Sequence, residues 1–148
     1  MRNLYENPTF KFYNFEQAKF LLECLKKVNV NVNVIYAFSS SSWQGALYTY
    51  NLFKILKKRK VSFIAECNTN TGRILSFFRA GVKKIALEIK DKKIRDKIND
   101  IALEYDCKIF EISKFTSIFE ICEHFYWTEL DMKKSKEDLI KYLKGYYE

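Results

Sequence analysis

The sequence predicts an α/β fold: a doubly wound, mostly parallel sheet with helices on both faces. Apolar, strand-like runs alternate along the chain with stretches of helical period, as in residues 28–38 followed by 46–58. Strands that alternate with helices of this length form right-handed βαβ units. Runs that are apolar nearly throughout, such as 61–65, are typical of strands buried on both faces.

The elements follow in order. Asn14 is predicted to cap a helix that runs to about residue 27, with Gln17 completing a capping-box-like pair. Gly81 is placed to end a later helix, and Ser135 to cap the last one. Strands are predicted at 28–38, 61–66, 84–89 and 108–112, and further helices at 46–58, 71–80, 95–105, 116–126 and 136–147. Residues 39–45 are predicted to be a loop. The helix at 46–58 is apolar nearly all round, which predicts burial on more than one side.

Length and composition indicate one domain over residues 1–148, with 1–28 as a helical lead-in and 115–148 as C-terminal helices. The 148 residues are enough for one continuous core, and Gly (4) and Pro (1) are too scarce to form a linker. No apolar run resembles a signal peptide or approaches the roughly 18 residues of a membrane span. We therefore expect a cytoplasmic protein with no membrane partner.

The four cysteines are widely spaced and form no Cys-x-x-Cys pair. In a chain with no export signal, this pattern predicts reduced thiols in the core, with structural zinc as a remote alternative. The sequence also carries a net charge of +8, which suits a polyanion or an acidic protein partner. Solvated helix faces explain the same charge equally well.

In a parallel sheet, ligands bind at the carboxyl ends of the strands. The first such end carries Ser40-Ser41-Ser42-Trp43-Gln44-Gly45 between an apolar strand and Ala46-Leu47. This order resembles the RecJ-like group of DHH phosphoesterases, in which an apolar strand precedes His-x-Asp-x-Asp-Gly and then a helix rich in Ala and Leu. The glycine remains as Gly45, but Ser40, Ser42 and Gln44 stand where the family has its metal-binding His and Asp.

The resemblance continues to about residue 120. Where the family has a strand that ends in Asp, this chain has Ile85-Ala-Leu-Glu88. The family's Asp-His-His corresponds to either Glu111-Ile112-Ser113 or Ser113-Lys114-Phe115, and neither contains histidine. The family's second domain has no counterpart in the sequence.

The missing residues predict a chain without catalytic residues, metal or cofactor. A two-metal phosphodiesterase site needs several carboxylates and imidazoles close together, whereas this chain has one histidine, His124, and no Asp-x-Asp. Ser and Gln are neutral and poor ligands for divalent cations. The former metal positions are therefore expected to be degenerate: Ser40, Ser42, Gln44, Glu88 and Glu111. A residual metal-dependent phosphodiesterase that uses Glu88 and Glu111 stays open as an alternative.

Inactivated members of the RecJ-like group include the cell division control protein 45 family and its archaeal counterparts, which accompany the GINS complex and the MCM helicase. The resemblance implies a nucleoid-associated, non-catalytic replication subunit that binds GINS and, through it, helps assemble or stabilise the MCM helicase complex. Aromatic residues anchor interfaces, and the C-terminal part is rich in them. Tyr126, Trp127, Tyr146 and Tyr147 are the predicted partner-binding residues, whereas Phe115 and Phe119 suit the core.

The alternative is a single-stranded nucleic-acid-binding domain. Trp43 is placed to stack a base, and basic residues are placed to follow phosphates. The main DNA-contact candidates are Trp43, Lys57, Lys58, Arg59 and Arg73, with Lys83 and Lys84 among further basic positions. Asp91, Asp96 and Asp100 interrupt the basic pattern. Salt dependence separates the two hypotheses, because phosphate binding weakens steeply with ionic strength.

Overall fold

A computed structural model describes residues 3–121 and 128–147 of the chain. Within these ranges the strands are β1 (Thr9–Phe12), β2 (Val32–Tyr36), β3 (Val61–Glu66), β4 (Lys84–Leu87), β5 (Lys108–Glu111) and β6 (Phe119–Glu120). The α-helices are α1 (Phe15–Cys24), α2 (Phe38–Gln44), α3 (Ala46–Leu56), α4 (Thr71–Ala80), α5 (Lys92–Glu104) and α6 (Glu129–Tyr147). Two 3₁₀ turns, Leu4–Glu6 and Ile112–Lys114, complete the elements.

The six described strands form one sheet in the order β5-β4-β3-β2-β1-β6. Every neighbouring pair is parallel. The predicted α/β class with a mostly parallel sheet is confirmed. From β1 to β5 each strand is added on the same side of the preceding one, and β6 then pairs with β1 at the opposite edge.

Both faces of the sheet are covered, by different kinds of structure. On one face, alternate strand residues such as Phe10 and Tyr36 pack with core residues of α1, α3 and α6, and Ile85 with those of α4 and α5. On the other face, Ile35 and Ile64 pack in a cluster that the two 3₁₀ turns and residues 115–118 cover. Since side chains alternate along a strand, this two-sided burial accounts for the continuous apolar runs in the sequence.

The connection from β5 to β6 crosses the whole sheet. Five interstrand spacings of about 4.8 Å make roughly 24 Å, and the chain from Glu111 to Phe119 reaches about 27 Å when extended. Tyr5 fixes this crossing. Its ring lies 5.0 Å from that of Phe115, its hydroxyl accepts the Glu111 N–H at 3.0 Å, and its carbonyl accepts the Thr116 N–H at 3.0 Å.

The local signals for helix boundaries are confirmed at α1 and α4. Asn14 Oδ1 accepts the Gln17 N–H at 2.9 Å, while Gln17 Oε1 accepts the Tyr13 N–H at 2.8 Å. Two orphan donors at the start of α1 are therefore satisfied by side chains. Gly81 ends α4 with φ of +98°, a left-handed conformation that favours glycine.

Three predictions about the ends of the chain are wrong. The helical lead-in contains a strand, β1, which was not predicted because four residues with a central lysine give a weak alternation. Residues 119–120 form β6 instead of belonging to a helix at 116–126, and residues 122–127 of that expectation lie outside the described residues. Helix α6 begins at Glu129, so Ser135 lies inside it. The Thr128 hydroxyl accepts the Asp131 N–H at 3.2 Å and thereby caps α6.

The described cysteines are unpaired thiols, and Cys67 and Cys107 are buried. Burial raises the pKa of each of these two thiols to about 12. They therefore stay protonated at neutral pH and pack as small apolar side chains, as the spacing predicted. Among the described helices, none is long and apolar enough to cross a membrane.

Asn33, the last of the alternating Asn residues before and in β2, provides a test of the packing on the second face of the sheet, the one that the two 3₁₀ turns cover. Asn33 is buried, and its amide donates to the Leu4 carbonyl at 2.8 Å and to Thr9 Oγ1 at 3.1 Å. We expect Asn33→Ala to lower the free energy of unfolding by about 2 kcal/mol, because one buried and one partly buried acceptor lose their donor. The matched control Asn31→Ala changes an exposed residue and is expected to cost less than about 0.5 kcal/mol. Equal losses in urea denaturation would contradict this account.

Candidate functional site

The carboxyl ends of the strands are the expected place for a site, and the serine run at the end of β2 is helical there. Residues 39–45 were predicted to be a loop, whereas Phe38–Gln44 form α2. The helix has no side-chain cap of its own. Instead, a carboxylate oxygen of Glu66, at the end of β3, accepts the Phe38 N–H at 2.9 Å. The Ser41 hydroxyl donates to the Glu66 carbonyl at 2.8 Å. A contact distant in sequence thus stabilises a helix that serine propensity disfavours.

Glu66 is the central carboxylate of this edge, and the chain supplies its cation. Lys11 Nζ on β1 lies 3.0 Å from Glu66 Oε2, and both side chains are largely buried. The ion pair joins β1, β3 and the start of α2. Each oxygen of this carboxylate therefore has an internal partner, Lys11 for one and the Phe38 N–H for the other.

The three polar positions at which a degenerate metal motif is predicted do not converge. Ser40 is buried, and its hydroxyl has no hydrogen-bond partner within the described residues. The Ser42 hydroxyl donates to the Ser39 carbonyl of its own helix at 3.2 Å, and Gln44 is exposed. Gly45 links α2 to α3 with φ of +86° and ψ of 174°, a conformation that favours glycine. This glycine therefore has a backbone role that needs no metal.

Glu88 and Glu111 lie on adjacent strand ends but have different partners. Glu111 pairs in register with Leu87, and its oxygens lie 3.2 Å from Arg95 Nε of α5 and 3.4 Å from Lys114 Nζ. The Glu88 carboxylate instead accepts the N–H of Ser113, in the 3₁₀ turn that covers the second face. A period of two along a strand explains this divergence. The expectation that the two carboxylates form a shared site loses its geometric support.

A cavity of about 270 Å³ lies beside Glu111 at this edge. Arg95, Asn99, Glu111 and Lys114 give it charged and polar walls, but the carboxylate and the two cations already pair with one another. Across the described ranges, no three His, Cys, Asp or Glu side chains are grouped so that they could hold a metal ion. The donors that a two-metal mechanism requires are therefore not brought together there.

The predicted DNA-contact residues lie at opposite edges of the sheet. Trp43 ends α2 at the carboxyl edge, and Arg73 lies nearby in the first turn of α4, with its guanidinium 5.9 Å from the centre of the Phe38 ring. Lys57, Lys58 and Arg59 follow α3, a helix about 16 Å long, and lie at the amino edge beside the start of β3. Lys58 Nζ also donates to the carbonyl of Leu22 at 3.2 Å. These five residues therefore form two separate groups.

Of the four predicted partner-binding aromatic residues, the structure describes the side chain of one. Tyr126, Trp127 and the side chain of Tyr147 lie outside the described residues. Tyr146 packs internally: its hydroxyl bonds Ser117 Oγ and lies 3.1 Å from the Tyr142 hydroxyl, and its ring is 5.3 Å from that of Tyr142. Tyr146 holds α6 against the end of the crossing segment, so the structure gives it a role in the fold.

A line of exposed apolar side chains on α2 and α3 was not predicted. The exposed fraction is 83% for Trp43, 67% for Leu47 and 73% for Ile55, and Tyr48 is 40% exposed beside them. We call these four residues the α2–α3 stripe. The prediction that helix 46–58 is buried on more than one side is wrong, because Leu52 and Leu56 face the core while Leu47 and Ile55 face away from it. Their spacing of eight residues, just over two helical turns, was the sequence signal.

The site geometry predicts the response to manganese. We expect manganese to leave the melting temperature unchanged, because Glu66, Glu88 and Glu111 already have internal partners. Glu111→Gln should lower the melting temperature by a few degrees at most, since a partly exposed ion pair contributes about 0.5–1 kcal/mol. The control Glu137→Gln removes an exposed carboxylate of α6 and should change nothing. Manganese-dependent hydrolysis of single-stranded DNA that is lost in Glu88→Gln or Glu111→Gln would establish the phosphodiesterase alternative.

Comparison with known proteins gives no neighbour for this arrangement: no family model, curated protein or solved structure matches the chain. The interpretation of the site therefore depends on its own geometry and on the motif order in the sequence.

Proposed function

We propose that this chain is a non-catalytic DNA-replication subunit that binds the GINS complex and helps assemble or stabilise the MCM helicase complex. The observation that carries the binding role is the α2–α3 stripe, which starts directly at the degenerate phosphoesterase motif. The partner's identity derives from the resemblance of that motif to the RecJ-like group.

The carboxyl edge supports a role without catalysis. The catalytic motif positions hold Ser40, Ser42 and Gln44, which are neutral side chains that bind divalent cations poorly. The carboxylates around them are engaged by Lys11, Arg95 and backbone N–H groups. A nucleophile or metal-bound water has no free base or ligand set among these contacts. The elements that present chemistry in a phosphoesterase are used in this chain to hold the fold together.

The α2–α3 stripe has the properties of a protein interface. Isolated exposed apolar residues are common on soluble proteins, but Trp43, Leu47 and Ile55 are all highly exposed on two consecutive helices. Tryptophan is among the residues that contribute most to binding when buried by a partner. Asn51, exposed between Leu47 and Ile55, adds a polar group of the kind that fixes orientation in such interfaces.

We propose α2 and α3, and not the C-terminal helix, as the interface. Tyr146 is removed from the interface candidates because its ring and hydroxyl contact Tyr142 and Ser117. Tyr126 and Trp127 stay predictions. A partner that covers Trp43, near the end of α2, would bury the surface beside Ser42 and Gln44, so that the degenerate edge becomes part of a docking region.

Size-exclusion chromatography with GINS from the same organism tests this proposal. At about 0.3 M salt, where non-specific phosphate contacts are weak, we expect the chain to co-elute with GINS. The double variant Leu47→Ala with Ile55→Ala should lose co-elution, because it removes two exposed anchors without changing the core. Leu103→Ala is the matched control, since Leu103 on α5 is 79% exposed and lies away from the stripe.

The two variants also define the contradicting results. Separation of the wild-type chain from GINS at this salt concentration would refute the proposed partner. Co-elution that survives Leu47→Ala with Ile55→Ala but is lost on Tyr126→Ala with Trp127→Ala would keep the partner and reject the stripe as its docking site.

A further inference from the structure

The amino edge of the sheet, opposite the degenerate site, carries a concentration of lysines. Helices of a parallel α/β fold end at this edge, and cations are favoured at helix C-termini. The α3 C-terminus brings Lys54 and Lys57, and the turn after α4 brings Lys83 and Lys84. These two groups were spread along the sequence, and the fold places them around one cavity of about 280 Å³.

Three aromatic side chains form the walls of this cavity. Tyr50, Phe53 and Phe63 are each only half-buried, and the Phe53 and Phe63 rings lie 5.5 Å apart. Gly81 allows Tyr50 to take its place, because a Cβ atom at Gly81 would lie 3.1 Å from Tyr50 Cε2. The glycine that ends α4 therefore also leaves room for an aromatic ring at the cavity.

Among the described residues, no carboxylate compensates the charge of the cavity. Its walls include four lysines and no carboxylate, and none of the ion pairs among the described residues involves these lysines. Two of the four amino groups have partners outside the cavity: Lys84 Nζ donates to the Ser62 hydroxyl at 3.0 Å, on the opposite face of the sheet, and Lys83 Nζ to the Tyr105 carbonyl at 3.2 Å. Lys54 and Lys57 are therefore the lysines that can meet a ligand in the cavity.

From these contacts we infer that the amino-edge cavity binds one nucleotide of single-stranded DNA, with the base against the aromatic walls and the adjoining phosphates on the lysines. Stacking on aromatic rings together with a positively charged surface is the chemistry by which single strands are bound without sequence preference. The cavity lies at the lower end of ligand-pocket volumes, about 300 Å³, which suits one base and not a larger ligand.

A strand fits the charge pattern better than a free nucleotide. The basic run continues from Lys57 through Lys58, Arg59 and Lys60 along the same edge, which is more positive charge than a single phosphate needs. Phosphates on either side of the bound nucleotide would meet these cations. The inference does not depend on the proposed protein partner, since none of the four stripe residues lines the cavity.

Fluorescence anisotropy with a labelled oligothymidylate of about 12 nucleotides, within the range that single-strand-binding domains occupy, tests the inference. We expect Lys54→Gln with Lys57→Gln to weaken binding about tenfold and to reduce the salt slope by about 1.4, since each phosphate contact on a single strand contributes about 0.7. The matched control, Lys133→Gln with Lys134→Gln, removes the same charge from the exposed side of α6 and should have little effect.

The base contact has its own pair of variants. Tyr50→Leu keeps an apolar wall but removes the ring, and it should weaken binding about tenfold, whereas Tyr48→Leu on the neighbouring stripe should not. A probe of equal length without bases should bind the wild-type chain as weakly as the normal probe binds the Tyr50→Leu variant. Thymidine monophosphate should compete only weakly.

Four results would overturn the inference. They are equal losses in the two lysine double variants, equal binding of the probes with and without bases, strong competition by the monophosphate alone, and binding of a labelled polyglutamate peptide in place of the oligonucleotide. Circular dichroism of each variant verifies that it is folded, so a loss of binding reports on the cavity.

Discussion

All described strands run in the same direction, and the order of β1 to β5 adds each strand on one side of the last. Right-handed crossovers then place the connecting helices on one face of the sheet. The two edges of the sheet therefore carry different helix ends, because the helices between strands begin at the carboxyl edge and end at the amino edge. Capping groups collect at the first edge and lysines at the second.

This polarity explains why the two edges differ in chemistry. At the carboxyl edge, one carboxylate oxygen of Glu66 accepts the Phe38 N–H and the other pairs with Lys11. The start of α2 and this ion pair therefore occupy the strand ends, where a ligand would be expected to bind. At the amino edge, the ends of α3 and α4 bring four lysines to an aromatic cavity with no carboxylate in its walls. At the edge where sequence motifs directed attention the carboxylates have internal partners, whereas the cavity lysines at the opposite edge take part in none of the ion pairs among the described residues.

Local signals in the sequence were enough for much of the fold. The Asn14 cap, the Gly81 terminator and the apolar run of β3 depend on neighbours along the chain, and each is observed. Strand β6 has two residues and exists only through pairing with β1, a contact distant in sequence. Helix α2 depends on Glu66, which lies 28 residues from Phe38. Neither β6 nor α2 could therefore be predicted from a local sequence pattern.

The candidate site was likewise predictable where residue type or local spacing was enough, and not where tertiary contacts decide. Composition alone predicted that Ser40, Ser42 and Gln44 are poor ligands, but not that Glu88 and Glu111 face different sides, which depends on strand register. The exposure of Leu47 and Ile55 was readable from their helical spacing, whereas the neighbours of Lys57 and Lys84 required the tertiary structure.

The central claim is that the α2–α3 stripe makes this chain a binding subunit. Amide hydrogen exchange of the chain with and without GINS tests it most directly, because protection reports where a partner covers the surface. The account predicts slower exchange in peptides from 38–56 and no change in 92–104. Unchanged exchange throughout 38–56, or protection confined to 92–104, would contradict it.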